Sequence, residues 1–438
     1  MKIQSLRLKQ FRNISELELS PGPHLNFILG KNAQGKTSLI EGLSLLATLR
    51  SFRSSHASEL ISWGNESSEV ECKLQSVDQS GSWDTHLKYT MSHEPRLKNP
   101  KKKAFINGKG YSSASSYLKQ RFVHAALGFH TIVFHPADHE LIRGEPKLRR
   151  NYLNQMICAE NFDYLDLYNR YQRVLKQRNA VLKQEPLAVD ILEEFTKQLI
   201  HIGAQLVHSR FEFLDRLSKQ LKMNLKKIAP KQPMLDVFYL SSWLSDIQND
   251  DKNQKANNLF INNNLEGVSF TGQGHFPSLE KVKKAFQIRL EKRALAEKRM
   301  QTTLVGPHRD DWTLLLGNQV LKGHGSQGEV RSALLALKLS EIDLFREKTG
   351  LRPVLLLDDI SSELDKDRRI FLLKTLSETD LQVFVTSTEE VDVPANRFWI
   401  ENGKLKESND SSYGLTFSKE LTNEYRDQSE FKLFSRSD

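Results

Sequence analysis

The chain has 438 residues, of which 38% are hydrophobic and 27% are charged. No apolar run approaches the ~20 residues of a membrane-spanning helix, and the N-terminus lacks the apolar core of a signal peptide. Two cysteines cannot build a disulfide framework or a zinc site alone. These features exclude membrane-spanning and disulfide-stabilised classes, and they predict a cytoplasmic, globular protein of two or three domains.

The net charge of +9 favours a polyanionic partner, most simply nucleic acid. The alternative is that modest basicity only aids solubility. The segment Arg96–Lys103 is predicted to be a basic turn of a small antiparallel sheet. It could bind DNA phosphates, or it could simply be solvated.

The N-terminal segment predicts two strands before a phosphate-binding loop. Residues 3–11 roughly alternate between apolar and polar types, and Arg12 and Asn13 close that strand. Residues 17–19 form a second predicted strand. A mostly apolar run at residues 25–29 then leads into the loop, as such a loop requires.

The loop reads G-x-x-x-x-G-K-T and is followed by a helical pattern from Ser38 to Leu46. Converging backbone N–H groups and a helix N-terminus suit phosphate oxygens. Lys36 is predicted to reach the β- and γ-phosphates, and the Thr37 hydroxyl to hold Mg²⁺. The bland alternative is a glycine turn before a helix. The predicted nucleotide-binding residues here are Gly30, Lys31, Asn32, Ala33, Gln34, Gly35, Lys36, Thr37 and Ser38.

The remaining patterns predict a head interrupted by helices. Apolar residues recur at spacings of three and four through much of residues 148–228, where the aromatic side chains fit a core better than a base-stacking platform. The predicted parts are an N-terminal head with a β-subdomain (1–136), a helical arm (137–301) with a mobile Asn-rich loop (246–277), a C-terminal head (302–404) and a polar tail (405–438).

A second group of residues completes the predicted site. Residues 354–357 form an apolar strand that ends in two carboxylates, so Asp358 is predicted to bind Mg²⁺ and Asp359 to act as the base. Before a predicted helix lies Ser326-Gln327-Gly328-Glu329, which could face an anion or could be a helix cap. The four segments are, in order, the phosphate loop, this S-Q-G-E signature, the acidic strand and Ser362–Asp365, and this order resembles ABC-type ATPases.

Within that class the chain resembles the RecF family of bacterial recombination and gap-repair proteins. The most specific segments are Gly306–Asp311 (GPHRDD) and Asp358–Asp365 (DDISSELD). The resemblance implies an α/β fold, namely an ABC-type P-loop ATPase head with an antiparallel β-subdomain and an inserted helical arm. It also implies a weak, DNA-stimulated ATPase that uses ATP and Mg²⁺, dimerises with ATP on double-stranded and gapped DNA, and supports RecA loading with RecR and RecO.

In that family two heads enclose ATP. The resemblance implies that Ser326 and Gly328 of one chain meet the γ-phosphate held by Lys36 of the other, and that Arg12 and Asn13 lie near the nucleotide. Glu329 departs from the glutamine that relatives often carry. Thr386 or Thr388 takes the place of a switch histidine and is a candidate phosphate sensor.

Three alternatives remain at this point. A transporter ATPase is disfavoured by the insertion of about 290 residues between Lys36 and Ser326, by the basic charge and by the GPHRDD segment. An SMC-like structural ATPase needs much longer heptad arms. The third alternative is a DNA clamp that binds ATP without hydrolysing it. The sequence allows it, because Asp359 is shorter than a glutamate base.

Overall fold

The computed structural model describes residues 2–53, 56–78, 81–94, 99–111, 113–123, 129–244, 267–270, 276–317, 319–359, 366–377 and 379–406. The chain divides into two units, Met1–Leu405 and Lys406–Asp438, and the architecture below is that of the first. The predicted tail lies almost wholly outside the described residues.

The strands are β1 (Lys2–Phe11), β2 (Ile14–Leu19), β3 (Leu25–Leu29), β4 (Ser67–Asp78), β5 (Gly81–Ser92), β6 (Lys101–Ile106), β7 (Lys109–Tyr111), β8 (Thr131–Phe134), β9 (Leu235–Leu240), β10 (Gly267–Phe270), β11 (Asp311–Leu316), β12 (Gln319–Val320), β13 (Val354–Leu357), β14 (Val383–Ser387), β15 (Asn396–Glu401) and β16 (Lys404–Leu405). The helices are α1 (Lys36–Thr48), α2 (Ala114–Val123), α3 (His139–Arg143), α4 (Pro146–Glu160), α5 (Phe162–Val181), α6 (Val189–Ile228), α7 (Leu279–Met300), α8 (Leu321–His324), α9 (Gln327–Thr349) and α10 (Lys366–Ser377).

An antiparallel sheet forms the N-terminal part, in the order β2-β1-β4-β5-β6-β7. Its strands alternate in burial, so that Leu6 and Leu8 of β1 enter the core while the neighbouring side chains do not. Asn107 and Gly108 both have positive φ, 48° and 79°, in the tight turn between β6 and β7. The predicted small antiparallel sheet is confirmed.

A second sheet, in the order β16-β15-β3-β14-β13-β8, has five parallel strands and an antiparallel edge strand. Its central strands β3, β14 and β13 are buried along their whole length and are mostly apolar, because both faces of the sheet are covered. Val354 and Leu356 of β13 enter the core shared with the antiparallel sheet and α1. Leu355 and Leu357 enter the core shared with the helical part. Strand β13 therefore packs against the antiparallel sheet and α1 on one face and against the helical part on the other.

The helical part is built on α5, α6 and α7. Its aromatic side chains contribute to the core, as the sequence predicted: Tyr164 and Tyr171 are buried, and Tyr168 is partly buried against this core. Arg178 of α5 and Glu297 of α7 form a buried ion pair at 2.7 Å. The third sheet has four strands in the order β10-β9-β11-β12. It pairs β9 of the predicted helical arm (137–301) with β11 of the predicted C-terminal head (302–404). The sequence did not predict β9, because its partners are distant along the chain.

The Asn-rich segment differs in part from its predicted loop. Residues 267–270 form β10, which pairs with β9 in antiparallel register. Backbone partners supplied by a distant strand override the local composition here. Most of the remaining predicted loop, 246–277, lies outside the described residues. Within the described ranges, no helix combines the length and apolar composition that crossing a bilayer requires.

Candidate nucleotide-binding site

The loop between β3 and α1 adopts a conformation that demands its glycines. Gly30 has φ +153°, and a Cβ there would lie 2.4 Å from the Ile400 carbonyl oxygen of the neighbouring strand. Gly35 has φ +109°. Ala33, with φ 65°, adopts the left-handed region despite its side chain. Three residues of the loop thus have positive φ, which gives the tight turn that a phosphate cradle needs.

Lys36 lies at the first position of α1 and is only 8% exposed. Its Nζ donates to the Gly30 carbonyl at 2.6 Å and to the Lys31 carbonyl at 2.8 Å. Burial lowers the pKa of Lys36, while Asp359 and Asp358 oppose that shift. The ammonium is therefore held within the loop, beside the two carboxylates that the sequence assigned to the same site.

Three neighbouring strands bring the second group of residues to this loop. The Thr37 hydroxyl donates to Asp358 Oδ1 at 3.0 Å, and the Thr386 hydroxyl donates to the same oxygen at 2.7 Å. The Asp359 N–H donates to Thr386 Oγ1 at 2.8 Å. Burial raises the pKa of Asp358, and the hydrogen bonds from Thr386 and Thr37 oppose the rise.

Thr37 and Asp358 fit the predicted Mg²⁺ site, because both offer oxygen atoms at one point. The described residues contain no cluster of three or more His, Cys, Asp or Glu side chains suited to a metal. A Mg²⁺ ion bound here would depend on phosphate oxygens and water for its other ligands, which is its usual arrangement with nucleotides.

The phosphate loop is braced by residues on both sides. Asn13 Nδ2 donates to the Ala33 carbonyl at 3.0 Å, and the Ser38 hydroxyl donates to Asn13 Oδ1 at 2.7 Å. The N–H of Gly403 donates to the Gln34 carbonyl at 3.0 Å. Asn13 and Ser38, both predicted to bind nucleotide, therefore also fix the loop that would do so.

Arg12 makes a contact that the sequence did not foretell. Its Nε and Nη2 donate to the two oxygens of Glu41, at 3.0 and 2.7 Å. Glu41 is fully buried, and it also accepts from the Ser51 hydroxyl and from Arg53 Nη1, the latter at 3.5 Å. Arg12 lies beside the site, but its guanidinium is engaged by this carboxylate.

A cavity of about 1030 Å³ opens on the loop, within the size range of small-molecule sites. Among the predicted residues, those lining it are Arg12, Asn13, Asn32, Ala33, Gln34, Gly35, Lys36, Thr37, Ser38, Asp359 and Thr386. Gly30 and Lys31 contribute instead the carbonyls that hold Lys36. Thr388 does not line the cavity, so the structure favours Thr386 of the two candidate sensors.

The signature segment lies outside the cavity that the phosphate loop of the same chain lines. Ser326–Glu329 are not among the residues lining this cavity. The Ser326 N–H donates to Glu329 Oε2 at 2.8 Å and the Ser326 hydroxyl accepts from the Glu329 N–H at 3.3 Å, which is a capping box at the start of α9. That hydrogen bond from Ser326 lowers the pKa of Glu329. Capping by Ser326 also explains why α9 begins at Gln327.

Several lining residues were missed by sequence reasoning. They come mainly from the segment after α1 and from the end of β5, and they include Arg53, Ser58, Glu59, Ile61, Ser62, Trp63, Gly64, Asn65 and His93. No spacing motif marks them, because long-range packing brings them to the cavity.

The comparisons with known proteins agree with this geometry. The family described as RecF/RecN/SMC N terminal domain matches residues 2–397. Proteins described as DNA replication and repair protein RecF match at 32% identity: one from Geotalea daltonii covers 92% of this chain and 100% of its own length, and one from Halalkalibacterium halodurans covers 93% and 99%. The structure of the recombination mediator protein RecF with ATP superposes with a TM-score of 0.75 at 30% identity, over 92% of this chain and 97% of that one. The chain therefore belongs to the RecF family, and it has the mixed α/β fold predicted for it.

Proposed function

We propose that this protein is an ATP-dependent recombination mediator that acts in DNA replication and repair. Its relatives are described as DNA replication and repair proteins, and one related structure is that of a recombination mediator of the RecFOR pathway with ATP. The phosphate loop, Lys36, Thr37 and Asp358 converge at one sheet edge in the way that ATP with Mg²⁺ requires. The proposed partners are double-stranded and gapped DNA, RecR and RecO, with RecA loaded downstream.

The observation that carries the proposal is the separation of the signature from the phosphate loop. Ser326 and Gly328 lie outside the cavity that Lys36 lines, so one chain supplies only part of an ABC-type site. We propose that a second chain brings its Ser326 and Gly328 to the γ-phosphate. ATP then closes two chains on DNA, and loss of the γ-phosphate releases them.

Asp358 and Asp359 divide the remaining work in this proposal. Asp358, held by two threonine hydroxyls, contributes an oxygen for Mg²⁺. Asp359 has φ 50°, lies beside Thr386 and lines the cavity, so it can take a proton from an attacking water. A clamp that binds ATP without hydrolysing it is the second candidate, favoured by the short Asp359 side chain. A single-turnover hydrolysis assay with DNA distinguishes the ATPase from the clamp, since the ATPase would form ADP and the clamp would not.

The proposed dimer is tested by size-exclusion chromatography with ATP, ADP or no nucleotide, with and without gapped duplex DNA. We expect ATP to convert the wild type to a dimer, and Lys36→Met and Ser326→Arg to remain monomers. Ser326→Arg should still bind ATP, because Ser326 lies outside the chain's own cavity.

Lys404→Met is the matched control, since it removes an exposed lysine near the loop that does not line the cavity. It should dimerise like the wild type. A dimer that forms equally without nucleotide would contradict the composite site.

A further inference from the structure

Trp63 is the most exposed large apolar side chain of the described residues, at 102% of its reference surface. It lines the same cavity as the phosphate loop. Single exposed apolar residues are ordinary on protein surfaces, but this one borders a proposed ligand site. Among the described lining residues, only Trp63 and His93 carry aromatic rings.

The turn that carries Trp63 is firmly attached to the end of β1. The Ser62 N–H donates to the Gln10 carbonyl at 2.9 Å, and the Ser62 hydroxyl donates to the Arg12 carbonyl at 2.6 Å. The Asn65 N–H closes the turn by donating to the Ser62 carbonyl at 3.1 Å. The indole is thus presented by a fixed backbone.

This anchorage also ties the turn to the phosphate loop. Asn13 follows Arg12 directly, and its side chain holds the Ala33 carbonyl at 3.0 Å. Two hydrogen bonds and one peptide link therefore connect Ser62 to the loop, so that Trp63 keeps a set position relative to bound phosphates.

We infer that Trp63 is the base-binding residue of this site, and that its indole stacks on the purine of the nucleotide whose phosphates the loop holds. The inference rests on the ATP binding proposed above and adds the group that recognises the base. The rest of the lining is dominated by polar side chains and backbone suited to phosphate and ribose. Stacking on an aromatic face depends little on which base is present, so ATP and GTP should both profit from Trp63.

The test measures equilibrium binding of ATP, GTP and inorganic tripolyphosphate by calorimetry to full-length wild type, Trp63→Ala and Trp63→Phe. We expect Trp63→Ala to weaken ATP and GTP by roughly 5- to 140-fold, the cost of losing one stacked base. Tripolyphosphate binding should stay within about twofold, because it has no base to stack. Trp63→Phe should retain most of the affinity.

Trp83→Ala is the matched control, because Trp83 is an exposed tryptophan of β5 that does not line the cavity. All variants are also measured in the Ser326→Arg background, where the proposed dimer does not form. If Trp63→Ala loses affinity only where dimers form, Trp63 is an interface residue and the inference is wrong. Equal loss of ATP and tripolyphosphate, or no loss of either, would also overturn it. Failure of the wild type to bind ATP would instead contradict the proposed function itself.

Discussion

Thr386 shows how one hydroxyl can organise two carboxylates. It donates to Asp358 Oδ1 and accepts from the Asp359 N–H, so it sets the position of both residues that follow β13. Thr386 is itself 1% exposed and lies in β14, between β3 and β13. It therefore acts as a positioning residue for the proposed metal ligand and base.

We expect Thr386→Val to lower ATP hydrolysis by about 10- to 100-fold, the usual cost of losing a residue that orients a metal ligand. ATP binding should persist, since Lys36 and the loop are untouched. Thr386→Ser should restore the rate, because it returns the hydroxyl. Thr388→Val is the control, as Thr388 is exposed and lies outside the cavity. Equal rates for Thr386→Val and Thr388→Val would refute the assignment.

At the scale of elements, the GPHRDD segment joins α6 to β9 through a buried polar network. Arg210 of α6 donates to the Tyr239 hydroxyl at 2.9 Å and to the Pro307 carbonyl at 2.9 Å. Asp310 accepts from the Tyr239 hydroxyl and from Trp243 Nε1, each at 2.8 Å. Asp310 of this segment is thus part of the interior of the helical part, whereas Arg309 is exposed.

Two members of this segment respond oppositely to pH. Burial raises the pKa of Asp310 to about 6, so the folded state binds an extra proton there and stability falls as pH rises through this range. Burial lowers the pKa of His308 to about 4, so the unfolded state binds the extra proton and stability rises with pH. The two contributions offset one another between about pH 4 and 6.

The variant Asp310→Asn should remove the Asp310 contribution and leave the pH dependence that His308 gives to stability. Its free energy of unfolding relative to the wild type should increase by on the order of 2 kcal/mol between pH 4.5 and 6.5, because the opposing Asp310 contribution is gone. Urea unfolding at the two pH values measures this. Asp163→Asn, an exposed aspartate of α5, is the control and should show no such change. A difference that is constant with pH would count against a raised Asp310 pKa.

The elements that sequence reasoning located are those with local signals. The phosphate loop has its glycines, β13 has an unbroken apolar run, and α5 has a 3.6-residue period. Strands β9 and β10 and the Trp63 turn were not located, because their backbone pairs with segments that are distant along the chain. Likewise Arg12 was predicted near the nucleotide, but only packing reveals that Glu41 engages it.

At the scale of the whole molecule, some basic side chains of the antiparallel sheet form ion pairs with glutamates, and others form none with the described residues. On the outer face of the antiparallel sheet, Arg7 pairs with Glu16 at 2.7 Å, and Lys88 pairs with Glu69 and Glu71 at 2.6 and 2.8 Å. Further along, β6 exposes three consecutive lysines, of which Lys101 pairs with Glu94. Lys102 and Lys103 are the better candidates for phosphate contacts.

The double variant Lys102→Gln/Lys103→Gln should therefore flatten the salt dependence of DNA binding. Each lost phosphate contact removes about 0.9 from the slope of log affinity against log salt, so we expect a decrease of about 2. Fluorescence anisotropy with duplex DNA over a salt series measures the slope. Lys9→Gln/Lys73→Gln removes the same charge from the same sheet and should leave the slope unchanged. An unaltered slope in both double variants would mean that the β6 lysines are merely solvated.

The strand order of the parallel sheet bears on how the chain folds as it is synthesised. Both neighbours of β3, β14 and β15, begin after residue 380, whereas the antiparallel sheet is complete by residue 111. On the ribosome, the N-terminal sheet can therefore form early, while β3, which leads to the phosphate loop, keeps both edges unpaired until residues beyond 380 have been synthesised. Unpaired apolar strands invite wrong association. The native geometry of the phosphate loop therefore requires residues up to about 401 to have been synthesised.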